Sequence, residues 1–229
     1  MAQTRIALIR HGAYHQKVDT PSALQPFPLT VQGISEIRQQ AQQFSRLLTD
    51  KGWRLASHVH SSPLLRAWQT AQIYIQELND FFIEPPVHLQ FPALVERSVG
   101  NVANLTTREI EQLLVEDPRY DPAPSGWKSD SEYCLPFLGA ESLMAAGARV
   151  ARHIESQCAE TTSNTVQLIV GHGAAMRHAA CHLNVMQFCD IKKLSMHHAH
   201  PVVLEKTDTE WQHIAGQWKI RKAGSEAKD

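Results

Sequence analysis

The 229-residue chain holds only four cysteines, Cys134, Cys158, Cys181 and Cys189, none of them in a CxxC pair. That scarcity excludes a dense disulfide scaffold and fits a reducing compartment in which each thiol is core filler. An excess of charge of one sign is also missing. With 22 Lys and Arg against 23 Asp and Glu, the formal net charge is -1, so bulk electrostatics give no reason to expect nucleic acid or an anionic membrane as partner. No apolar run approaches the roughly 20 residues that span a bilayer. Arg5 interrupts the N-terminus just before the first apolar run, leaving no room for a signal peptide's apolar stretch. The expectation is a soluble, cytoplasmic protein. Internal repeats and low-complexity segments are lacking too, and 43% hydrophobic residues with 11 Gly and 12 Pro suit one globular domain, residues 1–229, able to cover both faces of a sheet.

What is present is concentrated at two places. Arg10-His11-Gly12 closes the apolar run Ile6-Ala7-Leu8-Ile9, and Gly171-His172-Gly173 closes the run Val166 to Val170. In open α/β sheets ligands bind beyond the carboxyl ends of the strands, where Gly12 and Gly173 let backbone approach an anion closely. Two strands that each deliver a histidine and then a glycine point to one site.

Between these runs strand and helix patterns alternate, as in a layered α/β sandwich. Leu29-Thr30 opens a helix with Ile34, Ile37, Ala41, Phe44 and Leu48 on one face and Gly52 past its end. A strand from Ala56 to Ser61 meets Ser62-Pro63, which reads as a helix start with Ser62 as cap and Pro63 in the first position. The stripe of that helix is Leu64, Trp68, Ala71, Ile75 and Leu78. Arg66 lies off it, and because helical side chains lean toward the N-terminus it reaches back over the end of the sheet that carries His11. Val87 to Phe91 is a short segment, Thr106 to Glu116 a helix, and Leu143, Gly147, Val150, Ala151, Ile154 and Cys158 the face of another. Ala174 to Leu183 follows His172 as a helix, and Val202 to Leu204 and Trp211 to Ile220 read as edge strands. The loop-like stretch Asp117 to Leu138 belongs to a lid or insertion at about 97–138, and 223–229 is a polar tail.

The ordered set Arg10-His11-Gly12, Leu29-Thr30 with Gly33, Ser61-Ser62-Pro63 with Arg66-Ala67 and Thr70-Ala71, Leu94 with Glu96 and Gly100, Gly139 with Glu141-Ser142-Leu143, and Gly171-His172-Gly173 with Arg177 resembles the histidine phosphatase superfamily, the phosphoglycerate mutase-like fold. The resemblance spans Arg5 to about Leu204. It implies a three-layer α/β/α sandwich around a mostly parallel sheet, a phosphate pocket of Arg10, His11, Arg66 and His172, and Glu96 as the acid.

Elementary chemistry supports those roles. Arg10 and Arg66 supply planar, permanently charged donors for a phosphate dianion, and their charge favours neutral His11, whose free ring nitrogen can attack phosphorus. His172 donates to the equatorial oxygens. Glu96 is the candidate to protonate the leaving group, with Asp19 and Glu141 as weaker competitors.

The chain departs from many relatives in running Ala13-Tyr14-His15-Gln16 after the first glycine, where a threonine and an asparagine are usual. Gln16, or else Tyr14 or His15, stands in for the additional phosphate donor. The stretch from Asp117 to Leu138 has four acids, Asp117, Asp121, Asp130 and Glu132, against Arg119 and Lys128, so a polyanion is expected to be repelled there. Its aromatics Tyr120, Trp127, Tyr133 and Phe137 read equally as substrate contacts and as core anchors. His197, His198 and His200 sit before the last apolar strand without a tetrahedral ligand set, so no metal and no cofactor is expected, and His200 borders the pocket. The expectation is a metal-independent phosphatase for a small phosphorylated metabolite or a phosphoprotein. The alternatives are a mutase and a catalytically silent phospho-ligand or protein-binding module. Oligomeric state is left open.

Overall fold

A computed structural model describes residues 4–157 and 164–221. Cys158 and the 223–229 tail lie outside the described residues.

Strand β1 (Thr4–Arg10) is buried along its whole length and pairs in parallel with the equally buried β5 (Thr165–Gly171), in a register that sets Arg10 beside Gly171. His11 and His172 therefore leave neighbouring strands side by side, and the His11 amide donates to the Gly171 carbonyl at 2.9 Å. On the far side of β5 lie β3 (His58–Ser61) and then β4 (Val87–Gln90), both parallel, while β2 (Arg54–Leu55) pairs with the start of β5. On the other flank β7 (Pro201–Lys206) runs antiparallel to β1, and β8 (Trp211–Ala215) antiparallel to β7. The sheet order is β4-β3-β5-β1-β7-β8. β6 (Leu194–Ser195) and β9 (Lys219–Ile220) form a separate pair.

Side-chain alternation splits the core into two layers. Ala7, Ile9, Val166, Leu168 and Val170 pack on one face against Ile37, Phe44 and Leu48 of α1 (Val31–Lys51) and Ala67, Ala71 and Tyr74 of α2 (Leu65–Glu77). Ile6, Leu8 and Ile169 pack on the other against α4 (Leu143–Gln157) and α5 (Gly173–His182). The expected sandwich is the observed one. Helix α1 begins as the sequence implies: the Thr30 hydroxyl accepts from Gly33 N at 2.9 Å, and Gly52 closes the helix at φ 65°, a left-handed conformation that glycine adopts without penalty.

Several readings need correction. The strand expected from Ala56 starts at His58, with Arg54–Leu55 pairing separately, and Trp211 to Ile220 is two strands in two sheets. Pro63 is not in the first turn of α2, and Leu64 stands at its N-cap position without a side-chain cap. The buried face of α2 is Arg66, Ala67, Thr70, Ala71 and Tyr74, which rotates Trp68 outward to stack on His88. An apolar pattern cannot count a buried arginine, so it places the stripe on the wrong side of the helix. Cys134 and Cys189 are exposed and Cys181 half-buried, so these three are not core filler; Cys134 and Cys189 sit in loop and 3₁₀ segments that present no core face.

Residues 97–138 build an apolar cluster of their own around Val99, Val102, Trp127 and Leu135, with Ile110 and Leu114 of α3 (Thr107–Glu116). Trp127 is buried, and Tyr120 packs edge-on to Phe137. These aromatics act as anchors of the cluster. No helix among the described residues is long and apolar enough to cross a membrane.

Candidate active site

The site forms where β1, β5 and α2 converge. His11 is almost fully buried, and its Nδ1 lies 2.8 Å from the Gly12 carbonyl, an acceptor only, so Nδ1 carries the proton and Nε2 the lone pair. Nε2 receives the Nε–H of Arg66 at 3.2 Å. Burial, then the charges of Arg66, His172, Arg10 and His198, hold the His11 pKa well below the ordinary histidine value, so the ring is neutral.

Arg66 is completely buried. Its Nη1 donates to the Gln25 carbonyl at 2.7 Å and its Nη2 to Ser22 and Ala23 carbonyls, which fixes the guanidinium plane against the 22–25 loop. Nη2 also faces Nδ1 of His172 at 3.2 Å. Since arginine only donates, that nitrogen accepts, and the proton of His172 sits on Nε2, which points to Ser62 Oγ at 2.9 Å. His172 is also held well below the usual histidine pKa by burial and by Arg66, Arg10 and Arg149. His11 Nε2 and His172 Nδ1 thus turn toward the same guanidinium.

Arg10 reaches across the neighbouring strand end, with Nη1 3.1 Å from the Met196 carbonyl. A Cβ on Gly173 would stand 2.9 Å from Arg10 Cδ, so glycine there is what lets the arginine pass. Gly12 donates its amide to Thr70 Oγ1 at 3.1 Å, and a Cβ on it would collide with Ile37 at 2.6 Å. Arg10, His11, Gly12, Arg66, His172 and Gly173 are all brought together.

Glu96 is buried beside them. Its Oε1 accepts from Arg97 N at 3.0 Å and Ala175 N at 2.9 Å, and its Oε2 from Ala174 N at 3.2 Å, so the carboxyl sits on the N-terminus of α5 directly after His172. Its charge acts on Arg66 and on Tyr14. The competing acids are elsewhere: Glu141 is bound to Arg149 at 2.6 Å, and Asp19 is exposed at φ 52°.

Of the candidates for the additional donor, Gln16 and His15 are exposed, whereas Tyr14 is buried with its ring edge-on to His11 at 5.3 Å and under the Arg66 guanidinium at 4.5 Å. The Tyr14 hydroxyl is bonded to Ser22 Oγ at 2.9 Å. The 196–200 stretch is not a strand. Ala199 takes φ 62° and donates its amide to the Arg10 carbonyl, which puts the His198 ring, and not that of His200, 5.7 Å from His11. His197 and His200 pack on each other at 4.9 Å. Among the described residues no three His, Cys, Asp or Glu cluster as a metal would require.

Two buried arginines and two neutral histidines at the carboxyl edge of a parallel sheet define an anion site of the phosphate-handling kind. The chain belongs to the histidine phosphatase superfamily (branch 1), whose family model matches residues 6–218. Comparison with curated proteins gave no match. Among solved structures, the chain is similar to the α-ribazole phosphatase of Shigella flexneri at 20% identity and TM-score 0.67, covering 93% of this chain and 95% of that one. It is also similar to a mycobacterial glucosyl-3-phosphoglycerate phosphatase at 20% identity and TM-score 0.64, covering 95% and 98%. A third likeness is to a mutant of the phosphoserine phosphatase of Entamoeba histolytica in complex with phosphoserine, at 17% identity and TM-score 0.61, covering 93% and 96%. At these identities the likeness establishes the fold.

Proposed function

We propose that this protein is a metal-independent phosphatase that hydrolyses a phosphate monoester through a phosphohistidine on His11. The observation that carries the reading is the His11 tautomer: with Nδ1–H tied to the Gly12 carbonyl, the Nε2 lone pair is aimed at the Arg66 guanidinium, where a phosphate would be drawn. Nε2 forms the bond to phosphorus as the bond to the leaving oxygen breaks, and Glu96 gives that oxygen its proton. Water then attacks the phosphohistidine, Glu96 takes back a proton, and phosphate departs with the Nε2 lone pair restored. Arg10 and Arg66 offset the dianion's charge throughout, the task a metal ion would otherwise perform. The test is an aryl phosphate incubated with excess chelator: inorganic phosphate is released at an undiminished rate. A rate lost to chelator and restored by one metal, or an isomerised ester in place of free phosphate, overturns this reading.

Ser62 enters the mechanism through His172. To donate toward a bound phosphate from Nδ1, neutral His172 must move its proton from Nε2, and Ser62 then changes from acceptor to donor, which a hydroxyl can do. Ser62→Ala is expected to lower kcat about tenfold, the worth of one buried hydrogen bond. Ser62→Thr should restore most of it. A positioning role is rejected if threonine is no better than alanine while both variants keep the native melting temperature.

A further inference from the structure

We infer that the substrate's leaving group carries a second anionic group, a carboxylate or a phosphate, which is bound in a cationic cleft beside Glu96 by Lys128, Arg177 and Arg221. The inference rests on the phosphatase reading, because the acid that protonates the leaving oxygen marks the side on which the rest of the substrate lies.

A cavity opens from Glu96 between the 22–23 loop and the start of α5, and its charged lining is Glu96, Arg97, Lys128, Arg177 and Arg221. Four cations thus stand against one carboxylate. Ser129, Arg177 and Arg221 are shared with an adjoining cavity of ≈ 340 Å³, a size suited to a small metabolite, which adds Lys192 and Asp130. The cations are partly fixed in place: Arg177 is buried with Nη1 on the Leu194 carbonyl at 3.0 Å, and Arg97 lies over the Trp127 ring at 5.7 Å. Asp130 accepts the amides of Glu132 and Tyr133, and Asp117 is paired with Arg119 at 2.6 Å at the exposed end of the segment. The acids that make this segment look repellent in composition are therefore not what lines the cleft next to Glu96. A concave wall of guanidinium and ammonium groups concentrates anions and selects for them.

Phosphate release is compared within two pairs of alkyl esters: glycerol 3-phosphate against 3-phosphoglycerate for a carboxylate, and fructose 6-phosphate against fructose 1,6-bisphosphate for a second phosphate. The anionic member of one pair is expected to lead in kcat/KM by on the order of tenfold, as a charge-assisted contact provides, and the leading pair tells carboxylate from phosphate. The ratio should fall severalfold in Lys128→Ala and in Arg221→Ala, further in Lys128→Glu, and also at high ionic strength. Equal or inverse preference in both pairs, or a ratio that the variants leave unmoved, overturns the subsite. p-Nitrophenyl phosphate separates the two readings. If it is hydrolysed while the ratios stay flat, the subsite alone is wrong; if neither it nor any ester is hydrolysed, the phosphatase reading fails and the subsite with it.

Discussion

His11→Ala is expected to lower hydrolysis of any phosphate monoester by about 10⁴-fold or more, on the scale of losing a covalent nucleophile. Brief incubation of the unaltered protein with labelled substrate should give an acid-labile, base-stable phosphoprotein, and the variant should give none. The size of the effect follows from the surroundings of the ring. Burial and the nearby cations keep His11 neutral well below its ordinary pKa, so at neutral pH the whole population has a free lone pair on Nε2. The Gly12 carbonyl leaves that lone pair only one direction, toward Arg66. His172 cannot take over, because its Nε2 is turned away from the pocket to Ser62. Should the alanine variant still form the adduct or turn over at a normal rate, His11 is not the nucleophile.

The parts of this site that are legible in the sequence are those attached to strand ends. Two apolar runs ending in His-Gly are visible as text, and the sheet brings them together because β1 and β5 are neighbours in a register that sets Arg10 against Gly171. Arg66 is legible for the same reason, since a helix starting after β3 aims its first turn over that edge. Ser62 reads as a cap because its local pattern, serine before proline, is identical whether the hydroxyl serves the helix or a histidine 110 residues away. Strand alternation favours His200 over His198 because it gives the wrong face; the left-handed turn at Ala199, which decides it, leaves no mark in an alanine. The cationic cleft is hidden by counting. Charge along 117–138 is acidic, but the cleft draws Lys128 from that segment, Arg177 from α5 and Arg221 from beyond β9, and only the fold assembles them.

Glu96→Gln is expected to slow hydrolysis of alkyl phosphates by on the order of 10²–10⁴, the range for a positioned general acid, and to slow an aryl phosphate much less. An alkoxide is a poor leaving group that needs the proton as the P–O bond breaks, whereas a phenolate with an electron-withdrawing substituent leaves without it. The contrast matters because Glu96 also has a structural attachment. Its two oxygens accept three backbone amides at the start of α5, and glutamine keeps only those on its remaining carbonyl oxygen. With that oxygen on Arg97 and Ala175, the amide nitrogen meets the Ala174 N–H, donor against donor, and the bond lost is the longest of the three, at 3.2 Å. Oε2, held by that single amide, is also the oxygen better able to give and recover a proton. A purely structural defect would displace α5 and His172 with it, and both substrates would then suffer alike. Equal losses on alkyl and aryl esters, accompanied by a lowered melting temperature, therefore reject Glu96 as the acid. If neither ester is affected, Asp19 and Glu141 are the next to substitute, although the Arg149 partner of Glu141 and the exposure of Asp19 both weigh against them.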